Sequence, residues 1–296
     1  MTHLKSCQDN KVTSKKWNLN KVLIRTFLLM CLCCFYAEAN DTLTVTDLVG
    51  NKTLFTSEQL LQHPDKVELT LESDIVYPDE QIVYDAIPVY SIIDEKSINT
   101  DSIIQFKATD GFSAPLPQKK LLNKSTTQAI AYIAIESAKQ KWPNVPGRNF
   151  SAGPFYLIWK NAHLSDISVE DWPFQLAAFE IKSSFESSYP DMLPGNDIVK
   201  TSDVYLGFQS FVRNCFACHK MNNEGEGAIG PDLNLPMNPT EYFKRDALKK
   251  LIRDPASVRT WPNQLMGAFN ESMISDSELD QLVEYMSYMR NRKVAR

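Results

Sequence analysis

Cysteine is nearly absent from the body of this chain. Four of its six cysteines, Cys7, Cys31, Cys33 and Cys34, precede residue 40, which leaves only Cys215 and Cys218. Two thiols three positions apart build no disulfide framework. Histidine is scarce too: of four in the chain, none follows His219. A structural zinc site needs four Cys or His ligands, and this neighbourhood falls short of that number. Arg148 is the only arginine between residues 40 and 202. The basic stripe that nucleic acid demands is missing, as are internal repeats and low-complexity tracts. The longest apolar run, residues 27–37, is well short of the roughly 20 residues that span a bilayer.

That short run has a different meaning. It follows Lys15, Lys16, Lys21 and Arg25 and precedes the small-x-small tripeptide Ala37, Glu38, Ala39. This is the pattern of a secretory signal peptide over residues 1–39, removed on export. Its retention would instead leave a membrane anchor. Met30 and Leu32, before Cys31 and Cys33, suit a lipoprotein signal poorly. Residues 1–39 hold six basic and two acidic residues, so their removal takes the formal charge from −5 to −9. Residues 203–296 hold twelve of each sign, so the excess negative charge lies before them.

The two remaining thiols belong to Cys215-Phe216-Ala217-Cys218-His219. This C-x-x-C-H spacing is that of covalent c-type haem attachment. Two thiols on one helical turn add to the two vinyl groups, and the next residue brings an imidazole to one face of the iron. A thioredoxin-like dithiol opens a helix after a strand, whereas here an amphipathic helical period over residues 203–214 leads into the motif. Gly230-Pro231-Asp232-Leu233 follows at loop distance. A further helix is expected over residues 242–253, closed by Asp254 and Pro255. The chain ends in a helical period over residues 276–289, with Leu279, Leu282, Val283 and Met286 on one face.

Together these features resemble a class I cytochrome c domain over roughly residues 203–292, an all-α fold. The resemblance implies that Cys215 and Cys218 carry the thioethers and that His219 is the proximal ligand. The Pro231 carbonyl would hold the second ring nitrogen. Gly207, Phe211, Leu282 and Tyr285 match positions where the first and last helices of the family cross closely. The sixth ligand would be a methionine, because no later histidine exists. Met266 holds the family's position, although the usual Met-Pro is Met266-Gly267 here. Met237 is its rival, an open or water-bound position is the third option, and Met221 is too near His219. Met286 and Met289 read as core filler.

Residues 40–195 read as a separate α+β domain rich in strands. Residues 66–72 alternate as a half-buried strand does. Residues 102–108, 154–159 and 174–181 are further apolar, strand-like runs; residues 128–135 are a strand, or a helix given their alanines. Thr56 caps a short helix. Asp110-Gly111 and Pro146-Gly147 mark turns, and residues 187–197 read as linker-like, with the linker proper at 196–202. Residues 84–93, 106–112, 153–159 and 172–176 resemble the molybdopterin-binding oxidoreductase domain of the sulfite oxidase superfamily. That family ligates molybdenum through a cysteine, and this domain has none. Arg148 is its sole arginine for a cofactor phosphate. Molybdopterin is therefore not expected, and His63 and His163 read as surface or packing residues.

The functional expectation is an exported monohaem cytochrome that moves single electrons between a periplasmic donor and acceptor, with no catalytic residues and with the β-rich domain docking a partner. The alternatives are a molybdenum oxidoreductase with a fused haem exit and an open-site haem enzyme or sensor.

Overall fold

The computed structural model describes residues 41–95, 98–260, 262 and 264–294; the export segment expected at 1–39 lies outside them. Among the described residues nine strands form two sheets. β1 (Thr42–Thr46), β2 (Lys52–Thr56), β5 (Ile103–Ala108), β6 (Ser113–Pro117) and β9 (Leu176–Lys182) make a five-stranded sheet in the order β2-β1-β9-β5-β6. Only the β1–β9 pair is parallel. β3 (Val67–Thr70), β4 (Val83–Pro88), β7 (Ile130–Ile135) and β8 (Phe155–Lys160) form a four-stranded antiparallel sheet in the order β3-β4-β7-β8. Both sheets contribute to one apolar core, with Leu43, Phe106 and Phe179 from the first and Ile87, Ile133 and Trp159 from the second.

The alanine-containing run that left strand and helix open is β7. All six of its residues are buried between β4 and β8, so small side chains serve close packing of a central strand rather than helix propensity. The alternating run at 66–72 yields β3, an edge strand in which Leu69 alone is buried. β6 carries Pro115 and Pro117 at the opposite sheet's edge, where a missing N–H interrupts no inner ladder. The expected cap of the first helix is present. In α1 (Ser57–Leu61) the Thr56 hydroxyl accepts from Gln59 N and the Gln59 side chain accepts from Thr56 N. Two single-turn helices, α2 (Val89–Ile92) and α3 (Gln118–Leu121), follow β4 and β6.

Beyond β9 the regular elements among the described residues are helices joined by loops. α4 (Phe185–Ser188) precedes α5 (Asp203–Asn214), α6 (Pro239–Tyr242), α7 (Arg245–Arg253), α8 (Pro255–Val258) and α9 (Asp276–Arg290). A second core gathers Phe211, Phe216 and Met221 with Leu279, Leu282, Tyr285 and Met289 of α9. Residues 187–197 are packed rather than free: Tyr189 and Met192 are buried in this core, and the Tyr285 hydroxyl donates to Met192 O at 2.7 Å. Asp41–Arg296 form one compact unit. Among the described residues no helix is long and apolar enough to cross a membrane.

Candidate functional site

α5 delivers the motif. Ser202 caps it, its hydroxyl accepting from Tyr205 N. At the other end Cys215 N donates to Phe211 O at 2.9 Å, Cys218 N to Cys215 O at 3.1 Å, and His219 N to Cys215 O at 2.9 Å. Cys215, Cys218 and His219 thus share one hydrogen-bonded turn that follows α5. The intervening Phe216 is fully buried and meets Phe185, Tyr189 and Phe211 ring to ring, which anchors the turn in the second core.

The following loop folds back over the imidazole. Gly230 N donates to Cys218 O at 2.9 Å, and His219 Nδ1 lies 2.8 Å from Pro231 O. With Nδ1–H donated to that carbonyl, Nε2 is left with its lone pair free for a metal. Gly230 is dictated by this contact, since a Cβ there would lie 2.3 Å from His219 Cε1. Burial lowers the imidazole's pKa, which favours the neutral, ligating form. Burial also pushes the Cys215 thiol far up and the Cys218 thiol up to about 12. These are not the acidic thiols of a disulfide-exchange enzyme.

The methionines separate by burial. Met221, Met286 and Met289 are inside the second core, and Met237 is 53% exposed. Met266 is half-buried against that core, on the stretch between α8 and α9. A device that sequence reasoning missed holds this stretch. The Arg253 guanidinium donates to Phe269 O at 3.0 Å and to Ile274 O, and pairs with Asp276 at 2.7 Å. The arginine reads from sequence only as the last residue of a helix.

The site also rests on the β-rich module. Ser113 N, on edge strand β6, donates to Ala217 O at 2.9 Å, within the attachment motif. Ala228 N donates to Gly111 O at 2.9 Å. Glu226 lies between Lys107 of β5 and Lys182 of β9, at 2.6 and 2.9 Å. Arg213 of α5 makes a two-pronged bond to Asp166. Glu170, on a short turn at Val169–Asp171, is close enough for its charge to act on both Cys215 and Cys218.

In the module, His63 is half-buried and accepts from Asp65 N through Nδ1, while exposed His163 lies 3.6 Å from Glu72. Arg148 is exposed. Among the described residues no group of three or more His, Cys, Asp or Glu is placed to hold a metal ion.

The paired thiols on one turn, the single imidazole with its tautomer fixed, and the glycine that admits the ring all fit a covalently attached haem. Comparison with known families agrees. Residues 204–290 match the family model described as Cytochrome c. No curated protein matches the chain. The C-terminal part of the chain is therefore a cytochrome c domain, which implies covalent haem c and haem-based electron transfer.

Proposed function

We propose that the chain is an exported monohaem cytochrome passing single electrons between periplasmic redox proteins, with its β-rich module presenting a docking surface. One observation carries the reading: the attachment turn and the Pro231 carbonyl leave a single histidine with Nε2 free beside two adjacent thiols. In this reading Cys215 and Cys218 would hold the haem covalently, and His219 and Met266 would ligate its iron. Bound in this way, the haem supplies a one-electron iron couple whose potential the methionine raises. Two protein ligands to the iron would leave it no vacancy for a substrate, which favours transfer over catalysis. Phe216 and Phe211 anchor the attachment turn in the second core, and Pro231 keeps the proton on Nδ1.

The module is read as a fold of the molybdopterin-binding kind that does not hold the metal. Its residues 40–195 contain no cysteine, and its sole arginine, Arg148, points to no enclosed site because it is exposed. Two measurements test the proposal. Acid–acetone extraction should leave haem on the polypeptide, and haem staining should vanish in the Cys215→Ser, Cys218→Ser double variant. Haem freely extracted from the wild type refutes the covalent assignment. Elemental analysis of protein matured in a molybdenum-replete host should give one iron and no molybdenum per chain; near-stoichiometric molybdenum would promote the oxidoreductase alternative.

A further inference from the structure

We propose that Glu170, which the β-rich module presents to the haem-attachment turn, takes up a proton from solvent when the haem is reduced and releases it on oxidation. The proposal rests on the haem reading above. It assigns the module a chemical role at the redox site in addition to docking.

The geometry places Glu170 at the seam. Its turn, Val169–Asp171, packs on β6, the strand whose Ser113 N–H holds Ala217 of the motif. The carboxyl lines a half-open cleft of about 420 Å³ between the module and the outer face of α5, with Phe185, Tyr205, Phe208 and Ala217 among its walls. That cleft is the path by which water reaches the carboxyl.

The charged neighbours leave Glu170 without a counter-ion. Lys120 in the cleft is committed to Asp171. Arg213 is committed to Asp166 at 2.7 Å. Glu186 adds another negative charge to the lining, and Asp110 acts on Cys218 from the β5–β6 turn. Tyr205 and the two thiols complete the titratable groups around it. Among the described residues no hydrogen bond or ion pair reaches the Glu170 carboxyl. Burial, then repulsion from Asp171, pushes its pKa up to about 7. A carboxyl of that kind answers to a nearby change of charge.

An oxidised haem carries one more positive charge than a reduced one. The cation favours the carboxylate, and its loss favours the acid. Reduction by a one-electron donor protein therefore consumes one electron and up to one proton; the proton comes from bulk solvent through the cleft and forms the O–H bond of Glu170. Oxidation reverses both. By linkage the midpoint potential must fall as pH rises across the window between the two pKa values, around the pKa of about 7 that burial and Asp171 give this carboxyl.

The test is a spectroelectrochemical titration of the haem-loaded full chain from acid to alkaline pH, with the redox-difference infrared spectrum recorded alongside. In the wild type the potential should fall with pH, and reduction should add a protonated-carboxyl C=O band. Both should disappear in Glu170→Gln and persist in Glu170→Asp. A flat wild-type potential, or a slope and band unchanged in Glu170→Gln, overturns the proposal. Pyridine haemochrome analysis comes first: no covalent haem defeats the functional reading and this inference together. Covalent haem with a flat potential defeats this inference alone.

Discussion

His219 shows how much one residue depends on its supports. Its ring is fixed by the Pro231 carbonyl, admitted by Gly230 and kept neutral by burial. Met266 has a different kind of support. Among the described residues no hydrogen bond to its own side chain positions it; instead Arg253 ties down the backbone that follows it, at Phe269 and Ile274. The ferric protein should show the weak far-red sulfur-to-iron charge-transfer band, and Met266→Ala should abolish it. Loss of the band in Met237→Ala, with persistence in Met266→Ala, would move the role to Met237. Arg253→Met should weaken the band or shift its thermal loss to lower temperature, since two carbonyls lose a charged donor, worth about 1.5–3 kcal/mol each. The attachment residues were legible in the sequence because covalent chemistry demands fixed spacing. Arg253 was not, because its partners are backbone carbonyls 16 and 21 positions away, and carbonyls carry no sequence signature.

Between elements, the decisive contact is the crossing of α5 and α9. A Cβ on Gly207 would stand 1.9 Å from Gln281 O, a backbone atom that cannot rotate aside. Tyr285 then stacks on Phe208 and Phe211 at 5.7 and 5.5 Å. Gly207→Ala must push the helices apart and should cost about 1–3 kcal/mol, the usual range for overpacking, despite alanine's better helix propensity. Urea denaturation of the loaded protein measures it; a stability equal to or above wild type would show that the helices separate freely. Both helices were legible from their 3.6-residue period, and α5 and α9 appear as expected at Asp203–Asn214 and Asp276–Arg290. The sheets were legible only in part. β7 has no alternation because both its faces are buried, and β6 has two prolines that argue against a strand until its edge position is known.

At the scale of the molecule, two cores with separate sequence signatures are sewn along one seam. Backbone bonds join Ser113 to Ala217 and Gly111 to Ala228, and the Tyr189 hydroxyl reaches Gln105 at 2.7 Å. Such pairings across about a hundred positions leave no local pattern, so sequence periodicity could define each core but not their union. The seam's charged part is Glu226 held by Lys107 and Lys182. Burial alone would raise its pKa, but the hydrogen bonds from the two lysines outweigh that and hold it below the ordinary 4.5. A carboxylate whose folded pKa is depressed stabilises fully above its unfolded value, and the contribution is lost as pH falls through the folded value. Wild type should therefore melt higher than Glu226→Gln at pH 7, and the gap should close on acidification below about pH 4. Far-UV signal from the sheets and haem absorbance from the helical part should fall together in both proteins, since one seam couples the two cores. A gap that widens in acid would show that the two lysines do not hold Glu226 as a carboxylate, and haem loss well before sheet loss would show that the seam is too weak to make one cooperative unit.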